Sequence, residues 1–285
     1  MMELISEHAC FGGTQGFYRH ASAEIGLPMR FSVFQPPQAR LAPVPVLFFL
    51  AGLTSTEETF MIKAGAQRYA AQHGIMLVTP DTSPRDTGIA GVDASWDFGN
   101  GAGFYLDATQ APWATHFRMY SYILHELRQT IVQEFPAQPG NIGIFGHSMG
   151  GHGALVLALR NPDVFRSVSA FAPIAAPSNC PWGQKAFSNY LGADQASWHD
   201  YDATQLMLRL QQPFPQEILI DQGLGDKFLA EQLLPEQFET ACLQAGQKLT
   251  LRRHAAYDHG YYFISTLMED HLAFHQRILM ANQMS

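Results

Sequence analysis

Cysteine is scarce in this chain: three in 285 residues, at Cys10, Cys180 and Cys242. They are too few and too scattered for a disulfide framework or a zinc finger. Charge is sparse as well. Only 15% of residues are charged, and 17 lysines and arginines face 25 aspartates and glutamates. The resulting formal charge of −8 argues against nucleic acid or an anionic membrane surface as the main partner. No apolar run approaches the ~18 residues that suggest a membrane span. Residues 1–8 contain no basic region followed by an apolar stretch, so no secretory signal is predicted. Linkers, internal repeats and low-complexity tracts are missing too. What remains is one globular domain over residues 1–285, with a cytoplasmic setting as the default. The 47% hydrophobic content gives it a substantial core.

The apolar residues that are present alternate between two periods. Residues 29–35 alternate apolar and polar and predict a strand, whereas Val44–Leu50 is a nearly continuous apolar run and predicts a buried one. Further strands are predicted at 75–79, 141–145, 167–171, 218–221 and 248–254. Helices are predicted over 60–73, ended by Gly74, and over 120–135, with Tyr120, Ile123, Leu124, Leu127 and Ile131 on one face. Others follow at 151–159, at Pro235–Ala245 with Gly246 as C-cap, and at 262–280 with Ile264, Leu267, Met268 and Leu272 inward. Residues 81–118 are rich in glycine, aspartate and aromatics without a clean period, and predict a long functional excursion. Buried strands alternating with amphipathic helices predict an α/β fold with a mostly parallel sheet flanked by helices on both faces. Ligands of such a sheet lie at the carboxyl ends of its strands.

One segment stands out for chemistry. Gly146-His147-Ser148-Met149-Gly150 spells G-x-S-x-G between a predicted strand and a predicted helix, the context of a nucleophile elbow. A serine hydroxyl needs a histidine to take its proton, and that histidine needs an acid to fix its tautomer. In the order that this arrangement follows, His259 lies in the loop before the last helix, and His254 is a competitor that closes a strand. For the acid, Asp226 in a loop reaches a histidine more easily than Asp221 at a strand end, so Asp226 is favoured with Asp221 as the alternative. The oxyanion hole needs two backbone N–H donors: one from Met149, the other from the loop of residues 50–55, with Leu53 the chosen donor and an ordinary strand-to-helix turn the alternative.

Other patterns carry less. His271 and His275 are four apart on the last helix, but no carboxylate or cysteine is placed to complete a metal site, so packing is expected and no metal. His147 and His152 are expected to shape the turn. The glycines of residues 99–103 neither follow a strand nor open a helix, and no Lys-Ser/Thr follows them. Their expected role is close backbone passage beside the site, not phosphate binding.

Several longer segments then converge on one family. They are Lys63-Ala64-Gly65-Ala66-Gln67-Arg68, Pro80-Asp81-Thr82-Ser83-Pro84-Arg85, the run from Gly101 to Thr109, the run from Trp113 to Tyr120, Cys180-Pro181-Trp182-Gly183-Gln184-Lys185-Ala186-Phe187, and Tyr257-Asp258-His259. Together with the elbow they make the chain resemble the S-formylglutathione hydrolases, the esterase D-like group of α/β-hydrolases, from about Glu7 to about His275. The resemblance implies an α/β-hydrolase fold with Ser148 as nucleophile, Asp226 as acid and His259 as base. It implies hydrolysis of S-formylglutathione to glutathione and formate without a cofactor, in a cytoplasmic and often homodimeric enzyme. A small molecule is then the substrate. A general short-chain carboxylesterase with the same triad is the alternative function. The formyl group calls for a tight acyl pocket, with Trp182 a candidate wall (core or dimer packing being the alternative). Lys185 and Lys63 are candidates for the glutathione carboxylates, or else surface lysines.

Two positions depart from the family pattern. Ser55 stands where the family often has cysteine, which predicts resistance to thiol reagents. Rapid, substrate-protected inactivation by an alkylator would contradict that. Gly260 stands where serine usually follows the catalytic histidine, and adds backbone freedom beside His259.

Overall fold

The structure is a computed structural model and describes residues 2–281; the ends of the one-domain expectation, Met1 and residues 282–285, lie outside it. The described residues form nine strands: β1 (Met2–Cys10), β2 (Gly13–Ala21), β3 (Pro28–Gln35), β4 (Val44–Leu50), β5 (Met76–Pro80), β6 (Ala137–His147), β7 (Phe165–Phe171), β8 (Ile218–Gly223) and β9 (Leu249–His254). They form one sheet in the order β1-β2-β3-β5-β4-β6-β7-β8-β9. The pairings from β1 to β5 are antiparallel, and all those from β5 through β4 to β9 are parallel.

The helices are α1 (Thr59–Lys63), α2 (Ala66–His73), α3 (Met119–Ser121), α4 (Arg128–Glu134), α5 (Met149–Arg160), α6 (Pro181–Tyr190), α7 (Gln195–Trp198), α8 (Ala203–Arg209), α9 (Pro235–Ala245) and α10 (Tyr261–Met280). Alternation along β7 puts helices on opposite faces of the sheet. Ser167 and Ser169 bond the α10 histidines, while Ala170 points the other way, toward Gly151 of α5. The sheet is thus covered on both sides, and β4 is buried over its whole length.

Some boundaries differ from the periodicity. The helix predicted over 60–73 is two helices, because Gly65 adopts φ +66° between them and turns the chain. The helix predicted over 120–135 passes through a π-helical stretch at Tyr122–Leu127, which still buries Tyr122, Ile123, Leu124 and Leu127. Strands β1 and β2 and helices α6 to α8 have no counterpart in the periodic pattern. The excursion at 81–118 carries no strand. It holds a short 3₁₀ turn at Trp113–Thr115 and isolated bridges, and is fastened by side chains rather than by a ladder.

Candidate active site

The sharp turn between β6 and α5 defines the site. Ser148 has φ 57° and ψ −120°, a region that costs a non-glycine residue on the order of 1–3 kcal/mol. Its neighbours enforce that conformation. A Cβ on Gly146 would lie 2.2 Å from the Gly150 carbonyl oxygen, and one on Gly150 would lie 1.9 Å from that of Leu50. Only glycine at both positions lets β4, β6 and α5 meet this closely. The Ser148 N–H donates to the Phe171 carbonyl on β7 at 3.0 Å, which pins the turn to the sheet. Helix α5 then runs buried from Met149 to Leu159, with the free N–H groups of its first turn behind Ser148.

Loops at the carboxyl ends of the neighbouring strands bring the other groups. Asp226 lies three residues beyond β8. Its Oδ1 accepts the Phe228 N–H at 2.8 Å, and its Oδ2 accepts a 2.5 Å hydrogen bond from His259 Nδ1. With Nδ1 donating to a carboxylate, Nε2 is the nitrogen free to take a proton. His259 is wedged between Phe228, whose ring is edge-on at 5.1 Å, and His147 at 4.4 Å. Ser148 and His259 line one cavity of about 230 Å³, together with Gly52, Leu53, Ser55, Trp96, His147, Trp182, Phe228 and Tyr261. Three larger concavities contain no histidine: two, of about 550 and 530 Å³, near Glu217 and Arg277, and one of about 430 Å³ beside Lys63.

The competing residues form a separate cluster. Asp221 is fully buried and binds Arg252, His254 at 2.9 Å and His271 at 2.9 Å. Burial alone would raise its carboxyl, but hydrogen bonds from His271, Arg252 and His254 hold it well below the usual carboxylate range. His254 is thereby engaged away from Ser148. His271 and His275 continue the cluster to Ser169 and Ser167, and the described residues hold no group of side chains suited to a metal ion. His147 stays neutral because burial, and then the nearby His259, push its pKa well down. Burial also lowers His152 to about 4; its Nε2 donates to the Phe104 carbonyl at 3.0 Å.

The loop after β4 approaches Ser148 from the other side. Leu53 lines the same cavity as Ser148, and the excursion shapes this loop. Thr54, at φ +68°, donates its N–H to the Gly101 carbonyl at 2.9 Å, and a Cβ on Gly101 would lie 3.0 Å from the Thr54 Cα. Tyr105 Oη donates to the Ala51 carbonyl at 2.8 Å. Gly101 therefore lets backbone pass close beside the site, while Gly99 and Gly103 pass close to Val92 and Thr82.

Trp182 lines the cavity, edge-on to Trp96 at 5.6 Å and 4.7 Å from Phe228. Lys185, a sequence candidate for the substrate pocket, is not among the lining residues. Its Nζ instead holds Asp97 at 2.5 Å and Ser95 at 2.7 Å, flanking Trp96. Lys63 lies 5.8 Å from the Tyr261 ring centroid. The sequence patterns do not flag Trp96, Phe228 or Tyr261 as site residues. Phe228 and Tyr261 adjoin the candidate acid and base in the sequence, which is the one signal pointing to them. Ser55 lines the cavity where a family cysteine would sit, and the three thiols lie elsewhere. Burial raises Cys180 to about 11 and Cys242 to about 12.

A mostly parallel sheet, a serine elbow after its central strand, and the order Ser, Asp, His along the chain define the α/β-hydrolase class. Comparison with known proteins narrows this. The family model described as "Putative esterase" matches residues 22–274. An S-formylglutathione hydrolase of Rattus norvegicus is 52% identical over 283 residues, covering 98% of this chain and 100% of that one. One from Paracoccus denitrificans is 51% identical over 96% of both chains. The solved structure of an S-formylglutathione hydrolase from Agrobacterium tumefaciens superposes with a TM-score of 0.95 at 48% identity, covering 97% of this chain and 99% of that one. The chain belongs to the S-formylglutathione hydrolase family of esterases.

Proposed function

We infer that this protein is a serine hydrolase that cleaves S-formylglutathione to glutathione and formate through a formyl-serine intermediate. The observation that carries the mechanism is the hydrogen bond between Asp226 and His259, which lines the same cavity as Ser148. The substrate assignment rests on full-length relatives that bear the name S-formylglutathione hydrolase.

His259 Nε2 takes the proton from Ser148 Oγ as that oxygen attacks the thioester carbonyl carbon. The N–H groups of Leu53 and Met149 receive the oxyanion, at a helix N-terminus whose dipole favours negative charge. Asp226 stabilises the imidazolium that forms. The carbon–sulfur bond breaks, and the thiolate leaves as thiol with the proton from His259. Water then attacks the formyl ester while His259 takes one of its protons. That proton returns to Ser148 Oγ as formate departs. The bulky walls of Trp96, Trp182 and Phe228 and the cavity volume of about 230 Å³ suit a very small acyl group. A cytoplasmic setting belongs to the proposal, since all three cysteines are free thiols.

Rapid-quench mass spectrometry tests the intermediate. With S-formylglutathione, the peptide containing Ser148 gains one formyl group during turnover, and Ser148→Ala gains none. Turnover with the acyl group on another residue would overturn the assignment.

A further inference from the structure

We propose that Lys63 and Lys227 bind the two carboxylates of the glutathionyl moiety, one at each end of the aromatic row bordering the active-site cavity. The inference rests on the substrate assignment above and extends it to the leaving group.

The chain has only four lysines. Two are engaged with carboxylates: Lys185 with Asp97 at 2.5 Å, and Lys248 with Glu217 at 3.4 Å. Among the described residues the other two have no carboxylate partner, and both stand beside the site. Lys227 Nζ lies 4.9 Å from the Phe228 ring centroid, and Lys63 Nζ lies 5.8 Å from that of Tyr261. Phe228 and Tyr261 both line the cavity that holds Ser148. They end a continuous row of ring contacts, Phe228 to His259 at 5.1 Å, His259 to His147 at 4.4 Å, and His147 to Tyr261 at 6.3 Å. Each lysine therefore pairs a free charge with a fixed aromatic at the cavity border.

Both backbones are well placed. Lys227 follows Asp226 directly, so the loop that presents the acid also presents this ammonium. Lys63 ends α1. Beside it, a second cavity of about 430 Å³ is lined by Lys63, Tyr261, Tyr262 and Ser265, and Tyr261 is common to both cavities. That gives a tripeptide room to continue out of the acyl pocket. A glutathione thioester carries two carboxylates and one ammonium, so it is an anion approaching a protein of formal charge −8. Local cations are what such an approach requires, and an ammonium on a flexible stem acts on a carboxylate as a point charge.

The test compares S-formylglutathione with p-nitrophenyl acetate, which has no carboxylate, in wild type and in Lys63→Gln, Lys227→Gln and the double variant. The ester reports the folded state and the chemistry at Ser148, and the ratio of the two kcat/KM values is the readout. Exposed charge contacts of this kind contribute a few-fold each. The ratio is expected to fall about 2- to 5-fold for each single variant and about tenfold for the double variant. The loss appears in KM, and the inhibition constant of S-methylglutathione rises by the same factor. Added salt weakens thioester turnover more in wild type than in the double variant. A ratio and an inhibition constant within twofold of wild type in the double variant overturn the proposal and leave the function standing. A wild type that does not turn over S-formylglutathione overturns both.

Discussion

Two aspartates illustrate how residue context separates chemistry from architecture. Asp226 holds His259 beside Ser148, and Asp221 holds Arg252, His254 and His271 under the sheet. Substitution by asparagine separates them. Asp226→Asn leaves His259 without a carboxylate to stabilise its charged form, and kcat falls by about 10³–10⁴-fold with little change in unfolding midpoint. Asp221→Asn removes the buried carboxylate that Arg252, His254 and His271 share and is expected to cost about 3–5 kcal/mol in urea unfolding, while the folded fraction keeps its kcat. Equal losses of activity per folded molecule in the two variants would contradict this division. Ser148 and His259 are legible in the sequence because each lies in a short local pattern. The choice between the aspartates is less direct: Asp221 lies within β8 and Asp226 three residues beyond it, so local sequence favours Asp226 only by its reach from a loop. What distinguishes them is what β9, α10 and the final loop place opposite, and that is information from distant parts of the chain.

At the scale of elements, the excursion at 81–118 is fastened to α6 by single side chains. Tyr190 is fully buried, its Oη accepting the Gly99 N–H at 3.1 Å and donating to the Ala102 carbonyl at 3.0 Å. Tyr190→Phe leaves a buried donor and acceptor without partners and is expected to destabilise by about 1–3 kcal/mol. Since Gly101 backs the loop carrying Leu53, kcat should fall as well; thermal unfolding and esterase rates check both. An unchanged midpoint would show that this tie is dispensable. Strands such as Val44–Leu50 were legible because burial on both faces leaves a continuous apolar run. β1 was not: it is a largely exposed edge strand whose partner among the described residues is β2, so no clean alternation is imposed on it. The split of residues 60–73 turned on the backbone of Gly65 alone, which periodicity does not register.

For the whole molecule, buried charge sets the response of stability to pH. Glu57 has a side chain only 3% exposed. Burial, reinforced by Asp81 and offset in part by Arg30, pushes its carboxyl up to about 7. Between the ordinary glutamate value and pH 7 the folded state therefore keeps a proton that the unfolded state has lost. Stability from this group is complete below the unfolded value and declines as pH rises through the folded one, by about 3 kcal/mol in all. Glu57→Gln removes this slope, so wild type should lose more stability than the variant between pH 5 and pH 8 in urea unfolding. Parallel curves would contradict it.

That the triad serves a glutathione thioester is tested most directly by kcat/KM for S-formylglutathione beside p-nitrophenyl acetate in wild type and Ser148→Ala. A strong preference for the thioester, and loss of both activities in the variant, are the expected results. Equal or better turnover of the simple ester by wild type, or thioester cleavage that survives in Ser148→Ala, would contradict it.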